Sequence, residues 1–285
     1  MKTKNVKYEQ LEEFWYFAET CVSQSAFGGQ RVIRGIQDTD IELPQGGDWC
    51  DGGQWECFGV NSALHLPINK TPKLLIHDKA WFLQSNQWKT KIVFSYAICG
   101  NRASLLTFDR DRDFDPEEEG ELTPANQGNL DTVCDQLFVV FKTENAFYAG
   151  SRDRLSFVIG RKDGLDGRVK EVVSIGKFRP NSSYGTSLDS EELPDQFTVR
   201  SVKSLLLYTD YSDALHARDV FVFGRNSKSN QVVPFSFWTE IDKAYQISRQ
   251  KGEGREKLKL PVVRNFDEKN NVFSTEDPIA LNSDE

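Results

Sequence analysis

The chain has 285 residues, of which 38% are hydrophobic and 27% charged, and its 43 acidic and 35 basic side chains leave a net charge of −8. This composition suits a soluble globular protein with room for one large or two ordinary domains. The acidic excess argues against a general nucleic-acid binder, and no apolar run approaches the ~18–20 residues that a membrane-spanning helix needs.

The N-terminus is polar from Met1 to Tyr8 and does not read as a signal peptide. From Tyr8 to Ser23, Leu11, Phe14, Trp15, Phe17, Ala18, Cys21 and Val22 recur at helical spacing, which predicts an amphipathic helix. The Gly- and Asp-rich stretch that follows, to Gly59, reads as loop with short strands, and Lys79 to Gln87 as a short helix. The β-branched and aromatic run Ile92–Cys99, the turn Gly100-Asn101-Arg102 and the run Ala103–Phe108 predict a hairpin. The acidic run after Arg110 has no apolar period and reads as an exposed loop. Leu130 to Lys142 begins as a helix pattern and ends as a strand. Arg154 to Gly160 and Val169 to Phe178 read as strands, and the Ser-, Pro- and Asp-rich stretch 181–195 as a linker. Beyond it come strands at Phe197–Tyr208, Asp219–Gly224 and Gln231–Trp238, with a polar turn at Arg225–Asn230. Thr239 to Gln250 reads as a helix capped by Thr239, and Leu260 to Phe266 as a further strand before a polar tail.

Five cysteines at irregular spacing, one of them inside a predicted core strand, read as free thiols of a reducing compartment, hence an intracellular protein. Cys50 and Cys57 are spaced to pair or to hold a metal, but no second Cys or His pair stands at metal-ligand spacing. A restriction-type nuclease holds a divalent metal with an Asp followed by Glu-x-Lys. Asp48, Asp51 and Glu56 have suitable spacing, which makes Asp51 and Glu56 the metal candidates, but Phe58 stands where the Lys is needed. In Asp40-Ile41-Glu42 that place is taken by Pro44, and a displaced Lys such as Lys73 is the alternative. Loop acids in a turn-rich segment are the simpler reading of all of these. Of the histidines, His65, His77 and His216, none sits in a nucleophile motif, and His216 is expected in an exposed turn. The glycines between Gly160 and Gly167 match no phosphate loop and read as a turn.

Ile98-Cys99-Gly100, Leu105-Leu106 and Phe108-Asp109-Arg110, with Gln84 or Gln87 upstream, form a pattern that a second set accompanies. That set comprises Phe197-Thr198-Val199, Arg218 with Val220-Phe221-Val222, Val232-Val233 with Ser236 and Trp238, and Leu260-Pro261-Val262-Val263. Together, over roughly Trp55 to Asp267, they resemble the fungal-type protein kinase family, in which a nuclease-like region precedes a kinase-like domain. The resemblance implies ATP-dependent protein phosphorylation as the family activity, with ATP and Mg as cofactors, and offers Arg218 and Glu240 as nucleotide-binding candidates. A kinase also needs a Gly-rich loop, a strand Lys paired with a helix Glu, and catalytic-loop and metal-binding Asp residues. Here Tyr208–His216 contains no glycine, Pro234 stands at the Lys position, Glu240 has no Lys to pair with, and neither H-R-D nor D-F-G occurs. Asp109 and Arg110 read as structural.

The expectation is therefore an α+β protein. Residues 1–180 form a nuclease-like mixed α/β region, 181–195 a linker, 196–268 a partial kinase-like small lobe of antiparallel sheet plus one helix, and 269–285 a disordered tail. Three functions are carried forward: a kinase-like protein or fragment inactive as this chain, a non-catalytic interaction module, and a metal-dependent nuclease. A protein partner or substrate is expected, and neither a membrane nor nucleic acid is. No catalytic residue is assigned.

Overall fold

The computed structural model describes residues 13–20, 26–27, 30–36, 39–42, 49–50, 55–61, 75–79, 88–114, 120–146, 149–151, 153–161, 168–172, 178–209 and 213–278. Among them the chain is almost purely β, with twenty strands and two 3₁₀ turns, Val199–Ser201 and Lys243–Tyr245, and no α-helix. This overturns the α+β expectation in both regions.

The first expected helix is the strand Glu13–Thr20. Phe14, Trp15, Tyr16, Phe17 and Ala18 are all buried, so both faces of the strand are covered. A strand buried on both faces shows a continuous apolar run, which a helical template also fits. Between Leu130 and Lys142 no helix forms before the strand Gln136–Thr143. The expected helix Thr239–Gln250 is a loop with the single turn Lys243–Tyr245. Glu240 has φ of 52°, a left-handed conformation that stops a helix at its start. Ile247 pairs across a β-bridge with Leu215 instead of stacking on a helical face. The kinase-like arrangement of sheet plus helix is therefore not what this sequence builds. The expected helix after Lys79 lies outside the described residues.

The chain divides into two units, one of 1–53, 58–125 and 267–272, the other of 54–57, 126–266 and 273–285. The first unit is built on the hairpin of Trp88–Cys99 and Arg102–Phe114, with Glu13–Thr20 antiparallel to Trp88–Cys99. Gly100, at φ 56°, supplies the left-handed first position of the two-residue turn. Phe17 stacks on Phe94 at 4.4 Å between ring centres, and Tyr96 meets both edge-on. Asp109 is buried, and its carboxylate accepts the Thr123 N–H at 2.8 Å. A smaller sheet of the same unit runs in the order Gly120–Glu121, Leu75–Lys79, Gln30–Ile36, Thr39–Glu42.

The second unit holds two four-stranded antiparallel sheets. One runs Ser183–Leu188, Gln136–Thr143, Ala217–Asn226, Gln231–Trp238. The other runs Arg168–Val172, Leu155–Arg161, Val202–Thr209, Lys257–Leu260. Residues 181–195 lie inside this unit, where Ser183–Leu188 forms an edge strand. Pro234 lies on the last strand of its sheet, next to a register shift opposite Val222 and Phe223. An edge strand is where a proline's missing N–H costs least. Inside the first of these sheets, Phe138 stacks on Phe223 at 4.7 Å. The Trp55 ring lies over Gly185, where an added Cβ would sit 2.7 Å from three ring atoms. Residues 272–275, in the expected tail, form a strand.

Candidate functional site

The two residues offered as nucleotide ligands do come together, at the start of the strand Ala217–Asn226. Arg218 Nη2 lies 3.6 Å from Glu240 Oε1, and its Nε lies 3.5 Å from Glu144 Oε2 and 3.9 Å from Asp219 Oδ2. These separations are ionic rather than hydrogen-bonded. Asp219 is almost fully buried, and its Oδ1 accepts the Glu240 N–H at 2.9 Å. The Arg218 carbonyl accepts the Ile241 N–H at 2.8 Å.

His216 is the second fixture. It is buried, not exposed as its sequence context implies. Its Nε2 lies 2.8 Å from the Ile241 carbonyl, so that nitrogen carries the proton, while Nδ1 has no hydrogen-bond partner among the described residues. Its backbone N–H donates to the Ala149 carbonyl at 3.2 Å, and its carbonyl accepts the Glu144 N–H at 3.1 Å. Residues 216–219 are thus tied to Glu144 and Ala149 on one side and to residues 240–241 on the other. Sequence reading missed His216, Glu144 and Asp219 as members of one cluster. The only local signal was a charged Arg218-Asp219 pair at the head of an apolar run.

Electrostatically the cluster is closed. Arg218 faces three carboxylates, so a phosphate brought to it would meet net negative charge. Glu240 is exposed and lies on no helix, which removes the geometry of a kinase Lys–Glu pair. Asp51, Asp48, Lys73 and Pro44 lie outside the described residues, and Glu56 is placed on the strand Trp55–Asn61 without a described side chain. Asp40 and Glu42 lie on the strand Thr39–Glu42. Among the described residues no group of three or more His, Cys, Asp or Glu side chains is arranged to hold a metal ion.

Cys57, Cys99 and Cys134 are free thiols, so Cys57 is not paired with Cys50. Burial first, then the charge of Asp219, pushes the Cys57 thiol well up, with Lys142 acting in the opposite sense. Burial, helped by Asp135, pushes Cys134 up to about 12. Neither is a nucleophile at neutral pH.

A second group of side chains gathers around the loop that replaces the expected helix. The Arg249 guanidinium lies 5.8 Å from the centre of the Tyr208 ring, and that of Arg255 lies 4.5 Å from the centre of Tyr245. Tyr245 meets Trp238 edge-on at 5.3 Å. The loop is bound to itself, with Arg255 N–H donating to the Gln246 carbonyl and Ser248 N–H to the Arg255 carbonyl, both at 2.8 Å.

No family model matches the chain, and no curated protein matches it. Among solved structures, alpha toxin from Clostridium absonum aligns at 18% identity with a TM-score of 0.36, over 46% of this chain and 32% of the toxin chain. The chain thus spans about a third of the length of that protein.

Proposed function

We propose that this chain is a non-catalytic interaction module whose antiparallel sheets act as a scaffold for a protein partner. The observation that supports this reading is the fate of Arg218 and Glu240. The residues with the best sequence claim to a nucleotide are spent on joining Glu144 and residues 240–241 to the strand Ala217–Asn226. Asp219, His216 and the Ile241 backbone complete that tie.

The test uses the purified chain in two assays. Incubated with labelled ATP and Mg or Mn, it is expected to transfer no phosphate to itself or to a generic protein substrate. Incubated with DNA and a divalent metal, it is expected to cut nothing. Phosphoryl transfer would overturn the reading in favour of a kinase, and metal-dependent cleavage abolished by Glu56→Ala would overturn it in favour of a nuclease. Isolation of a stable stoichiometric complex with the tagged chain is the expected positive result.

A further inference from the structure

We propose that Arg110 binds a carboxylate brought from outside the chain. Arg110 lies on the strand Arg102–Phe114, directly opposite Ile92, with Arg112 opposite Thr90 and Phe108 opposite Phe94. Residues directly opposite share a face, so Phe108, Arg110 and Arg112 follow one another along one face of the hairpin. Phe94, Phe108, Ile92 and Thr90 are buried, and Arg110 is half-buried. Its Nε is sealed from solvent and makes no hydrogen bond. Among the described residues Arg110 has no ion pair and no acceptor for any of its side-chain N–H groups. By contrast, Arg225 donates to Asn230 and Gln136, and Arg264 to Glu276 and to the Val202 and Lys203 carbonyls. Arg112 donates to the Glu121 carbonyl at 2.9 Å and is left outside the proposed site. A half-buried guanidinium without a protein partner calls for a ligand or for a reason to do without one.

Chemistry identifies the ligand. A guanidinium stays charged and presents a planar fork that matches the oxygens of a carboxylate or a phosphate. With Nε covered, the open edge is the one formed by the two Nη groups, which takes a carboxylate end-on through parallel N–H···O bonds. The buried neighbours on the same face lower the local dielectric, so the pair is stronger than one at an open surface. Asp111 and Asp113 stand exposed on either side of Arg112, in a chain whose net charge is −8. They repel a phosphate of nearly two charges about twice as strongly as a single carboxylate, which selects the carboxylate. The competing role is purely structural: the arginine stem covers apolar surface while the head stays in water.

The experiment is an NMR titration of the full chain, isotope-labelled in nitrogen, with sodium propionate at constant ionic strength. The arginine Nε–Hε resonances are followed, and that of Arg110 is assigned by its loss in Arg110→Lys. We expect it to shift saturably, with a dissociation constant of about 1–50 mM. The Arg200 resonance is expected to stay in place, because Asp131 already holds that guanidinium bidentately. Read from the Ile92 backbone amide, Arg110→Lys, which keeps the charge and loses the fork, is expected to weaken binding about threefold or more. Arg110→Met is expected to abolish binding and to leave the urea midpoint unchanged. A peptide with a single Glu separates the sources of the carboxylate. Binding as tight as propionate assigns the site to a partner's side chain, and binding about tenfold weaker assigns it to a free organic acid. The inference is overturned by an absent or unsaturable shift, by an equal shift at Arg200, or by tighter binding of inorganic phosphate. It is also overturned if folded Arg110→Met binds as the parent does. A resonance of Arg110 that moves without ligand when Glu117, Glu118 and Glu119 are all changed to Gln overturns it too, because the carboxylate then comes from this chain. The titration of the parent chain decides the matter even where a variant fails to fold. Its failure leaves the module reading standing, since that reading is tested by phosphate transfer and partner isolation.

Discussion

Replacing Gly185 with alanine tests the packing of the second unit where an indole lies against bare backbone. The new Cβ would sit 2.7 Å from Cδ1, Cδ2 and Cε2 of Trp55. Carbon atoms prefer about 3.5–4.0 Å, so the indole must retreat by roughly 1 Å. It has little room, since only 6% of Trp55 is exposed and its ring lies 6.5 Å from that of Phe138. Overpacking of this kind costs about 1–3 kcal/mol. Alanine restricts the unfolded chain more than glycine does, which offsets about 0.4–1 kcal/mol. We expect a net loss of about 1–2 kcal/mol in urea unfolding followed by far-ultraviolet circular dichroism. A double-mutant cycle makes the cause specific. Trp55→Leu alone leaves a cavity and costs about 3 kcal/mol. In its presence the Gly185→Ala methyl has space, so the pair should be less destabilised than the sum of the two by more than about 0.5 kcal/mol. Additive effects, or a Gly185→Ala protein as stable as the parent, would refute the reasoning.

Two further predictions concern the Arg218 cluster and the thiols. Asp219→Ala should cost about 1–3 kcal/mol, because it removes the buried acceptor of the Glu240 N–H. Arg218→Met, which removes partly exposed ion pairs, should cost no more than about 1 kcal/mol in the same unfolding assay, and the reverse order would contradict the assignment of roles. In native protein at neutral pH, Cys57 and Cys134 should resist alkylation, and Cys99 should be modified before either of them. Peptide mapping after brief iodoacetamide treatment reads this directly, and rapid modification of Cys134 would contradict its burial.

The strands were legible where local chemistry decides them. Gly100-Asn101 between two β-branched runs marks the hairpin, and Gln231–Trp238 falls where composition puts it. Strand Glu13–Thr20 was not legible, because burial on both faces erased the alternation that distinguishes strand from helix. The segment after Trp238 was misread for a different reason. Ile241, Tyr245 and Ile247 have helical spacing, but Asp219 captures the Glu240 N–H and Leu215 captures Ile247, and both partners are remote in sequence. The same remoteness hid the cluster. Arg218 and Glu240 could be singled out from a family pattern, but Glu144 and the burial of His216 depend on strands pairing across the sheet.

The glycine beneath Trp55 has a counterpart in the other unit, where a Cβ on Gly59 would sit 2.5 Å from the Trp15 ring. In each case the bare backbone and the indole occupy one volume that neither residue owns alone. Selection should therefore treat each pair as a single heritable character. In a homologous chain, a bulkier residue at the position of Gly185 or Gly59 is expected to arrive with a smaller one in place of Trp55 or Trp15. Such paired replacements would identify distant kin of this protein after its hairpin motif has drifted past recognition.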